Sequence, residues 1–371
     1  MSIRVLIAGG GTSGHVNPAL AIAEAIRRRD PDSVIEFCGT ERGIESDIVP
    51  RGGFVLHPIR ARGIPTRPSV KMIRAFRDMW AGRRSCIALI RDFHPDIVIG
   101  TGGYVCTPLV SAANKMKVPV LLHEQNAFPG RSNRMMSRKA AVVCTSFEDA
   151  ADYFSKARSV VFTGNPVRRI FFQMERETAR RELGLAEDTF FLFAMGGSLG
   201  ARTVNQSILA IARNMPKRVK IVLSAGKQQF AELSRVITGD GIPDNLEIRE
   251  YIYNPEVYMA AADLILSRAG AITCAEIAAL GVPSIMIPYP FAAGDHQTFN
   301  ARSFEKRGAC VIIKDEDVSA ESLLSRILPL TDDSEQLRRM GRAASALAVR
   351  DADERIVDQV FQTVLKKGQI T

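Results

Sequence analysis

The sequence predicts an α/β protein of two doubly wound, Rossmann-like domains that face each other across a cleft. Its 371 residues exceed the size of one ordinary domain and suffice for two separate cores. Short apolar strands alternate with amphipathic helices, which is typical of parallel sheets covered by helices on both faces. A strand, a glycine-rich turn and a helix also follow one another twice, at residues 3–26 and 189–215. We therefore expect a ligand between the two domains, at the carboxyl ends of both sheets.

The first repeat places three glycines between a strand and a helix. The strand Ile3–Ala8 is followed by a turn at residues 9–14 whose glycines have the spacing G-x-G-x-x-G. Such a turn directs backbone N–H groups towards an anion at the positive end of the helix. A dinucleotide site would also need an acid at the end of the second strand, but Glu36 lies within that strand and Glu41 beyond it. The motif alone leaves an NAD or flavin site, a purely structural turn and another anion site open.

The elements between the two repeats set the domain boundary. Between helical patterns, strands are predicted at Ile97–Gly100, Val118–Leu122, Ala141–Cys144 and Val160–Thr163. The alternation pauses at residues 163–169, and a charged helix follows to about residue 183. We accordingly place an N-terminal domain at residues 1–164 and a C-terminal domain at residues 165–349.

The second half contains another phosphate-binding pattern, at residues 264–288. It reads as strand, small-residue turn, helix and second parallel strand, so the N–H groups near residues 270–273 can hold a pyrophosphate. Glu276, one turn into the helix, can accept both hydroxyls of a ribose. The alternative is that Thr273 and Glu276 form a capping box, which needs no ligand. The polar residues at 294–300 can hydrogen-bond several hydroxyls and favour a sugar.

Composition and charge narrow the class of protein. The six cysteines include no C-x-x-C pair, which indicates reduced thiols in a cytoplasmic protein. The start of the chain has no signal-peptide pattern, and no apolar stretch reaches the roughly 20 residues that span a bilayer. The net charge of +9 favours anionic partners. No nucleic-acid reader motif is present, so we expect no nucleic-acid partner. Two D-x-D sequences, at residues 30–32 and 351–353, are interpreted as surface acids rather than metal sites.

A basic amphipathic segment at residues 60–84 predicts contact with an anionic membrane surface. It is rich in arginine and contains the only tryptophan of the chain. The alternative is an ordinary packed helix whose apolar stripe belongs to the core. The predicted membrane contacts are Ile73, Phe76, Trp80, Lys71, Arg74 and Arg77.

Six motifs, in order along the chain, carry a resemblance to a known family. They are GGGTSGHVNPALAIAEAI at 9–26, GTGGYVCTPL at 100–109, HEQNAFPGRSNR at 123–134, TGNPVR at 163–168, GGSLGARTVNQ at 196–206 and SRAGAITCAEIAALGVPSIMIP at 267–288. Together they resemble the MurG family, the bacterial N-acetylglucosaminyltransferases of peptidoglycan synthesis. The resemblance extends to about residue 310 and favours an anion site over NAD at the first glycine turn.

The resemblance implies an inverting hexosyltransferase of the two-domain GT-B architecture, without cofactor or metal. N-acetylglucosamine would move from UDP-N-acetylglucosamine to the C4 hydroxyl of the muramoyl sugar on undecaprenyl-diphosphate-linked muramoyl-pentapeptide. The implied location is the cytoplasmic face of the cell membrane, with other cell-wall synthesis proteins as candidate partners. The last helix, about residues 350–371, is expected to pack back on the first domain. A nucleotide-sugar epimerase of the same architecture and an NAD-dependent oxidoreductase are the alternatives.

The same resemblance assigns roles to residues. His15 is the leading candidate for the general base, because a helix N-terminus favours the neutral imidazole that accepts a proton. Glu124 is the second candidate, and its alternative role is to hold the loop around Asn126. The acceptor diphosphate is expected at Gly11, Gly14, Gly102, Gly103 and Tyr104. The donor is expected at Thr12, Ser13, Gly14, Asn126, Arg168, Ser198, Ile252, Ala271, Ile272, Thr273, Cys274, Ala275, Glu276, Gln297 and Asn300.

Overall fold

The computed structural model of the protein describes residues 2–63, 65, 69–197, 200–236 and 241–368. The chain divides into two compact units, Met1–Val167 with Asp351–Thr371, and Arg168–Arg350. Each unit contains a parallel sheet that is buried on both faces. The predicted fold class, two doubly wound α/β domains, is therefore confirmed.

The first unit is built on a seven-stranded sheet of strand order β3-β2-β1-β4-β5-β6-β7. Its strands are β1 (Arg4–Ala8), β2 (Val34–Gly39), β3 (Val55–Pro58), β4 (Ile97–Gly100), β5 (Val120–Glu124), β6 (Val142–Thr145) and β7 (Val160–Phe162). Its helices include α1 (Ser13–Arg29), α2 (Glu45–Arg51), α3 (Val70–Phe93), α4 (Cys106–Lys115) and α5 (Arg131–Met136), with 3-10 turns at Ser137–Lys139 and Glu148–Phe154.

The second unit is built on a six-stranded sheet of strand order β10-β9-β8-β11-β12-β13. Its strands are β8 (Phe190–Met195), β9 (Val219–Ser224), β10 (Leu246–Arg249), β11 (Leu264–Ser267), β12 (Ser284–Met286) and β13 (Cys310–Ile312). Its helices include α6 (Ile170–Gln173), α7 (Arg176–Glu182), α8 (Arg202–Ala212), α9 (Lys227–Val236), α10 (Pro255–Ala261), α11 (Ala271–Leu280), α12 (His296–Glu305), α13 (Ala320–Asp332) and α14 (Ser334–Ser345), with 3-10 turns at Ala293–Asp295 and Asp315–Asp317.

Alternation along the first strand explains how the first sheet is covered on both faces. Val5 and Ile7 pack in one apolar cluster with α1, whereas Leu6 and Ala8 pack in another with residues of α3 and α4. All four side chains are fully buried. A parallel strand that is covered on both faces accordingly reads as one continuous apolar run.

The last helix, α15 (Ala352–Gly368), belongs to the first unit. Ile356, Val357 and Val360 are buried in the same apolar cluster as α1. An ion pair from Arg29 to Asp358, 3.0 Å long, adds a polar contact along the same pair of helices. Burial of the branched side chains accounts for most of the stabilisation, because exposed ion pairs contribute little.

In both sheets the strand order reverses beside the first strand: the chain adds strands on one side of it and then on the other. In the first sheet β1 lies between β2 and β4, and in the second β8 lies between β9 and β11. The turns that follow such strand pairs lie side by side at the carboxyl edge, which is where open α/β sheets bind ligands. The two glycine-rich turns of the sequence each follow the strand at one of these points.

One detail of the sequence prediction is wrong. The single charged helix expected at about residues 170–183 is broken into α6 and α7, because Met174 and Glu175 adopt extended backbone angles. Arg176 and Arg180, on α7, bind the carboxylate of Asp263 at 2.6 and 3.2 Å.

Over the described ranges, no helix combines the length and apolar character that crossing a membrane requires.

Candidate functional site

The first glycine turn leads into the open end of α1. Thr12 is the N-cap of this helix, its side chain makes no capping hydrogen bond, and the first turn contains no acid. Thr12 and Gly14 are exposed and Ser13 is partly exposed. The positive end of the helix dipole is therefore accessible to an anion.

The glycines expected to meet the acceptor diphosphate lie together around His15. Gly11, Gly102 and Gly103 all have positive φ angles, of 84°, 105° and 76°, so side chains are disfavoured at these positions. A Cβ on Gly102 would lie 2.9 Å from Nδ1 of His15, and one on Gly11 would lie 3.0 Å from the ring of Tyr104. Two chain segments about ninety residues apart thus approach each other closely at His15 and Tyr104.

The Nδ1 atom of the His15 imidazole faces two oxygen atoms. Nδ1 lies 3.1 Å from the carbonyl oxygen of Thr101 and 3.1 Å from Oε1 of Gln125. The hydroxyl of Thr101 donates to the carbonyl of His15 at 2.8 Å, which fixes the start of α1 against the end of β4. The backbone and the side chain of His15 therefore both contact Thr101, directly after β4.

Glu45 is a residue of this turn that the sequence reasoning missed. Its buried carboxylate accepts from the N–H of Gly11 at 3.1 Å and from the N–H and hydroxyl of Thr40 at 3.0 and 2.6 Å. Burial opposes ionisation, but these hydrogen bonds prevail and the pKa of Glu45 lies below its usual value. The acid considered at Glu36 and Glu41 was one that would bind the ribose of a dinucleotide, and no local pattern indicates an acid that holds the turn itself.

The contact with Glu45 corrects the role expected for Gly11. Its N–H group already donates to the carboxylate, so in this conformation it does not offer that hydrogen to a diphosphate. Gly11 instead contributes the tight turn and the absence of a side chain beneath Tyr104. The part of the loop that is accessible to an anion is the exposed start of α1.

Glu124 is buried at the end of β5 and holds a loop. One carboxylate oxygen accepts from the backbone and side-chain amides of Asn126 at 3.1 and 3.2 Å. The other accepts from the N–H of Gly130 at 3.0 Å and from Nδ2 of Asn133 at 2.9 Å. Both carboxylate oxygens are engaged by donors of this loop, so the geometry favours the loop-holding interpretation over the general base.

The second unit offers a comparable helix start at α11. Gly270 is its N-cap, without a side-chain capping bond, and the N–H of Cys274 makes an early intrahelical bond to the carbonyl of Gly270 at 2.9 Å. The capping box considered for Thr273 and Glu276 is therefore wrong, because both residues lie inside the helix. Cys274 is fully buried, so only its backbone faces the helix start.

A charged group of three residues lies beside this helix start. Arg168 pairs with Glu256, at the start of α10, at 2.8 Å. Burial raises the pKa of Glu276 to about 7; Arg168 lowers it in part and Glu256 raises it further. Glu276 is thus an acid poised near neutral pH next to an arginine, which suits a site that receives both hydroxyls and a diphosphate.

The other predicted donor residues occupy different environments. Ile252 is buried after β10 between two exposed tyrosines, Tyr251 and Tyr253, whose ring centroids are 4.8 Å apart. Oε1 of Gln297 accepts from the N–H of Tyr289 at 2.9 Å, so its NH₂ group is the part suited to a sugar hydroxyl. Ser198 lies outside the described residues.

Asn300 has a different position from the one expected. Its side chain is fully buried, and Nδ2 donates to the carbonyl of Ala269 at 3.1 Å. A side chain with no accessible atom does not read a sugar hydroxyl in this conformation. Asn300 instead steadies the turn between β11 and α11, because its amide satisfies a carbonyl of that turn.

Of the predicted membrane segment, residues 70–84 lie in α3, and residues 64 and 66–68 lie outside the described residues. Ile73, Phe76 and Trp80 are 71%, 56% and 59% exposed, which excludes them from the core. The guanidinium of Arg84 lies 4.8 Å from the ring centroid of Trp80. We call this surface, formed by Ile73, Phe76, Trp80 and the exposed Lys71, Arg74 and Arg77, the α3 ridge.

The D-x-D acids make contacts within the protein. Asp30 accepts from the N–H of Ile3 at 3.2 Å, Asp351 pairs with Arg355 at 2.9 Å, and Asp353 pairs with Arg28. Among the residues that the structure describes, no cluster of three or more histidine, cysteine or acidic side chains is arranged to bind a metal ion.

The chain matches models of a known protein family and named members of it. Models of the N-terminal and C-terminal domains of glycosyltransferase family 28 match residues 5–145 and 191–356. A UDP-N-acetylglucosamine--N-acetylmuramyl-(pentapeptide) pyrophosphoryl-undecaprenol N-acetylglucosamine transferase from Acetivibrio thermocellus is 40% identical over 366 residues, 98% of this chain and 99% of that protein.

Solved structures agree with this assignment. The crystal structure of Acinetobacter baumannii MurG has a TM-score of 0.78 and 28% identity, covering 97% of this chain and 99% of its own. A UDP-GlcNAc 2-epimerase from Neisseria meningitidis, bound to UDP-GlcNAc, has a TM-score of 0.68 at 15% identity over 98% of this chain and 100% of its own, a likeness in fold alone. The chain therefore belongs to glycosyltransferase family 28 and, within it, to the MurG transferases.

Proposed function

We propose that the protein transfers N-acetylglucosamine from UDP-N-acetylglucosamine to the muramoyl sugar of undecaprenyl-diphosphate-linked muramoyl-pentapeptide. The observation that carries the site assignment is the imidazole of His15, held by its Nδ1 at the open start of α1 beside the Gly102–Tyr104 turn. A proton acceptor beside an anion-binding helix start is what attack by a sugar hydroxyl near a lipid diphosphate requires. The epimerase alternative is set aside, because its likeness extends to the fold alone.

The reaction we propose is one direct displacement with inversion at the anomeric carbon. The C4 hydroxyl of the muramoyl sugar attacks, its proton passes to His15, and the bond between the sugar and UDP breaks with its electron pair going to the diphosphate. Such a step needs one base and a stabilised leaving group, and no covalent nucleophile.

The leaving diphosphate is assigned to the start of α11. The start of this helix, which has no side-chain cap, supplies backbone N–H groups at residues 272 and 273 and the positive end of a dipole. Arg168 supplies a full positive charge close to Glu276. These groups provide the charge that a bound cation supplies in other transferases, so the proposal assigns no metal.

Glu276 and Gln297 are assigned to recognition of the donor. An ionised Glu276 accepts the two ribose hydroxyls, which a neutral acid does less well. The NH₂ group of Gln297 is proposed to donate to a hydroxyl of the N-acetylglucosamine. The backbone at Ile252 is proposed to pair with the uracil edge.

The acceptor is a membrane lipid, and we propose that the α3 ridge brings the protein to the cytoplasmic membrane surface. Exposed Ile73, Phe76 and Trp80 would enter the headgroup boundary, and Lys71, Arg74 and Arg77 would meet anionic lipid. Binding of this kind holds a protein at a bilayer without crossing it.

The test is transfer of labelled N-acetylglucosamine from UDP-N-acetylglucosamine to a short-chain lipid-linked muramoyl pentapeptide, with and without EDTA. We expect transfer in both conditions, with inversion seen in the product linkage. Transfer that stops with EDTA and returns with magnesium would contradict the metal-free leaving group. Free N-acetylmannosamine or UDP-N-acetylmannosamine formed without acceptor would favour the epimerase.

A further inference from the structure

His15 has two ring nitrogens, and only an unprotonated nitrogen accepts the proton of an attacking hydroxyl. Which nitrogen carries the hydrogen of a neutral imidazole is set by the partners of the ring. In this protein those partners extend from His15 through two buried side chains to a buried backbone carbonyl. The chain of contacts determines each proton position in turn.

The chain begins at His123, a fully buried residue of β5. Its Nε2 lies 3.2 Å from the carbonyl oxygen of Gly164, which only accepts hydrogen bonds. The hydroxyl of Ser146 lies 3.3 Å from the same Nε2 and donates its own proton to Oδ1 of Asn165 at 2.8 Å. Nε2 of His123 therefore carries a hydrogen. Burial lowers the pKa of His123 to about 4, so the ring is neutral and its Nδ1 is an acceptor.

The second link is the amide of Gln125. Its Nε2 lies 2.9 Å from Nδ1 of His123 and 3.1 Å from the carbonyl oxygen of His123. Both of these atoms are acceptors, so the NH₂ end of the amide must face them. An inverted amide would leave oxygen facing two acceptors in a buried site. The Oε1 end consequently faces His15.

The last link is the ring of His15. Nδ1 faces two acceptors, the carbonyl oxygen of Thr101 and Oε1 of Gln125, each at 3.1 Å. We propose that Gln125 and His123 are positioning residues that fix the tautomer of His15, with the hydrogen on Nδ1 and the lone pair on Nε2. When Nε2 takes the proton of the acceptor hydroxyl, the same two oxygens stabilise the imidazolium that forms. The catalytic meaning of this tautomer rests on the proposed function, whereas the tautomer itself does not.

The direct test is nuclear magnetic resonance of the full chain labelled with ¹⁵N-histidine, in which long-range proton–nitrogen correlations identify the protonated ring nitrogen. The chain has five histidines, and the spectra of His15→Gln and His123→Gln assign the two that matter. We expect Nδ1–H at His15 and Nε2–H at His123. A hydrogen on Nε2 of neutral His15 would overturn the proposal, and it does so without any activity measurement.

The kinetic test is Gln125→Met, which keeps the length of the side chain and removes the amide. We expect kcat to fall roughly tenfold or more, the KM for UDP-N-acetylglucosamine to stay within about twofold, and the Nε2–H tautomer of His15 to become detectable. Gln362→Met, at an exposed position on α15, is the matched control and should change none of these. Unchanged kcat in a folded Gln125→Met protein would overturn the proposal.

The experiments can reject the proposed function and the proposed positioning role independently of each other. A protein with Nδ1–H at His15 that transfers no sugar would reject the proposed function and leave the tautomer assignment in place. A protein that transfers sugar with Nε2–H at His15 would reject the positioning role alone. If Gln125→Met does not fold, the spectrum of the unmodified protein still decides.

Discussion

At the scale of single residues, the imidazole of His15 is expected to act in the chemical step and little in donor binding. We predict that His15→Ala lowers transfer by about a hundredfold or more, the usual contribution of a general base. UDP affinity should stay within a few-fold, because the proposed UDP site lies in the second unit. Turnover of the variant and calorimetric titration with UDP measure the two effects. Near-normal turnover would remove His15 from the role of base.

Glu276 links the donor site to pH. Burial raises the pKa of its carboxyl to about 7 from the ordinary value of 4.5, so the folded protein binds this proton more tightly than the unfolded chain. Stability is therefore lost as pH rises from about 4.5 through 7, because the half-buried carboxyl ionises over this range. In the proposed function, the same ionised carboxylate is the group that binds the ribose hydroxyls.

We predict that Glu276→Gln is more stable than the unmodified protein at pH 8 and closer to it at pH 5. The advantage should grow by about 1–3 kcal/mol between these values, as an upper range for a partly exposed group. UDP affinity should rise with pH in the unmodified protein and vary less in the variant. Thermal unfolding and UDP titration at both pH values test this. A Glu276→Gln protein that is less stable than the unmodified protein at pH 8 would contradict the inference that the ionised Glu276 destabilises the fold.

Sequence reasoning reached some residues of the site and missed others for a physical reason. Glu276 was selected from the small-residue turn before α11, whereas the roles of His15 and Arg168 came from the family resemblance of their motifs. Gln125 and Glu45 act through contacts with residues far along the chain, which no local pattern records. Asn300 looked polar and available in the sequence, but the fold buries it.

At the scale of elements, the glycine turn after β1 is held by a carboxylate rather than by glycine alone. Glu45, at the first position of α2, joins the turn to the end of β2 through Gly11 and Thr40. The sequence predicted strand, turn and helix here because apolar runs and glycine spacing are local signals. The sequence did not predict that Glu45 contacts this turn. The contact depends on where the loop after β2 places the first residue of α2, which no local pattern gives.

We predict that Glu45→Gln lowers the stability of the first unit by about 1–3 kcal/mol at pH 7, since an amide NH₂ would face donors in a buried site. Hydrogen bonds from Thr40 and Gly11 outweigh burial and hold the pKa of Glu45 low, so its stabilisation is present at neutral pH and lost as pH falls through that value. The difference from the unmodified protein should therefore narrow in acid.

The matched control for this change is Glu41→Gln, an exposed acid of the same loop. It should alter stability by less than about 0.5 kcal/mol at any pH tested. Denaturant unfolding at pH 7 and pH 4 gives both comparisons. Equal effects of the two substitutions would mean that Glu45 does not hold the turn.

At the scale of the whole molecule, two parallel sheets followed from length and from the repeated strand, turn and helix. Parallel strands covered on both faces are uniformly apolar, so their positions are readable in sequence. The position of α15 in the first unit was not readable from its own residues, because an amphipathic helix packs on any complementary apolar surface. For α3 the sequence likewise left open whether its apolar residues pack in a core. In the structure Ile73, Phe76 and Trp80, the apolar residues of the α3 ridge, are exposed.

The net charge of +9 and the α3 ridge together predict how the whole molecule meets a membrane. The protein should bind anionic vesicles of phosphatidylglycerol and phosphatidylcholine more tightly than neutral vesicles, with salt weakening the interaction. Changing Lys71, Arg74 and Arg77 to Gln should weaken binding roughly a hundredfold at low salt, at about 1 kcal/mol per basic residue. Because Trp80 is the sole tryptophan, its fluorescence should shift to shorter wavelength as the ridge enters the headgroup boundary.

The apolar part of the ridge is separable from its charge. Changing Ile73 and Phe76 to Ser leaves the basic residues and the fluorescent Trp80 in place, so weaker binding measures apolar insertion alone. Leu365→Ser, at an equally exposed apolar position on α15, should bind vesicles as the unmodified protein does. If the Leu365 variant loses as much binding as the ridge variant, or if Trp80 emission stays unchanged on bound vesicles, the α3 ridge is not the membrane surface. Vesicle sedimentation and the fluorescence shift, measured on the same samples, distinguish adsorption through charge alone from insertion of the ridge.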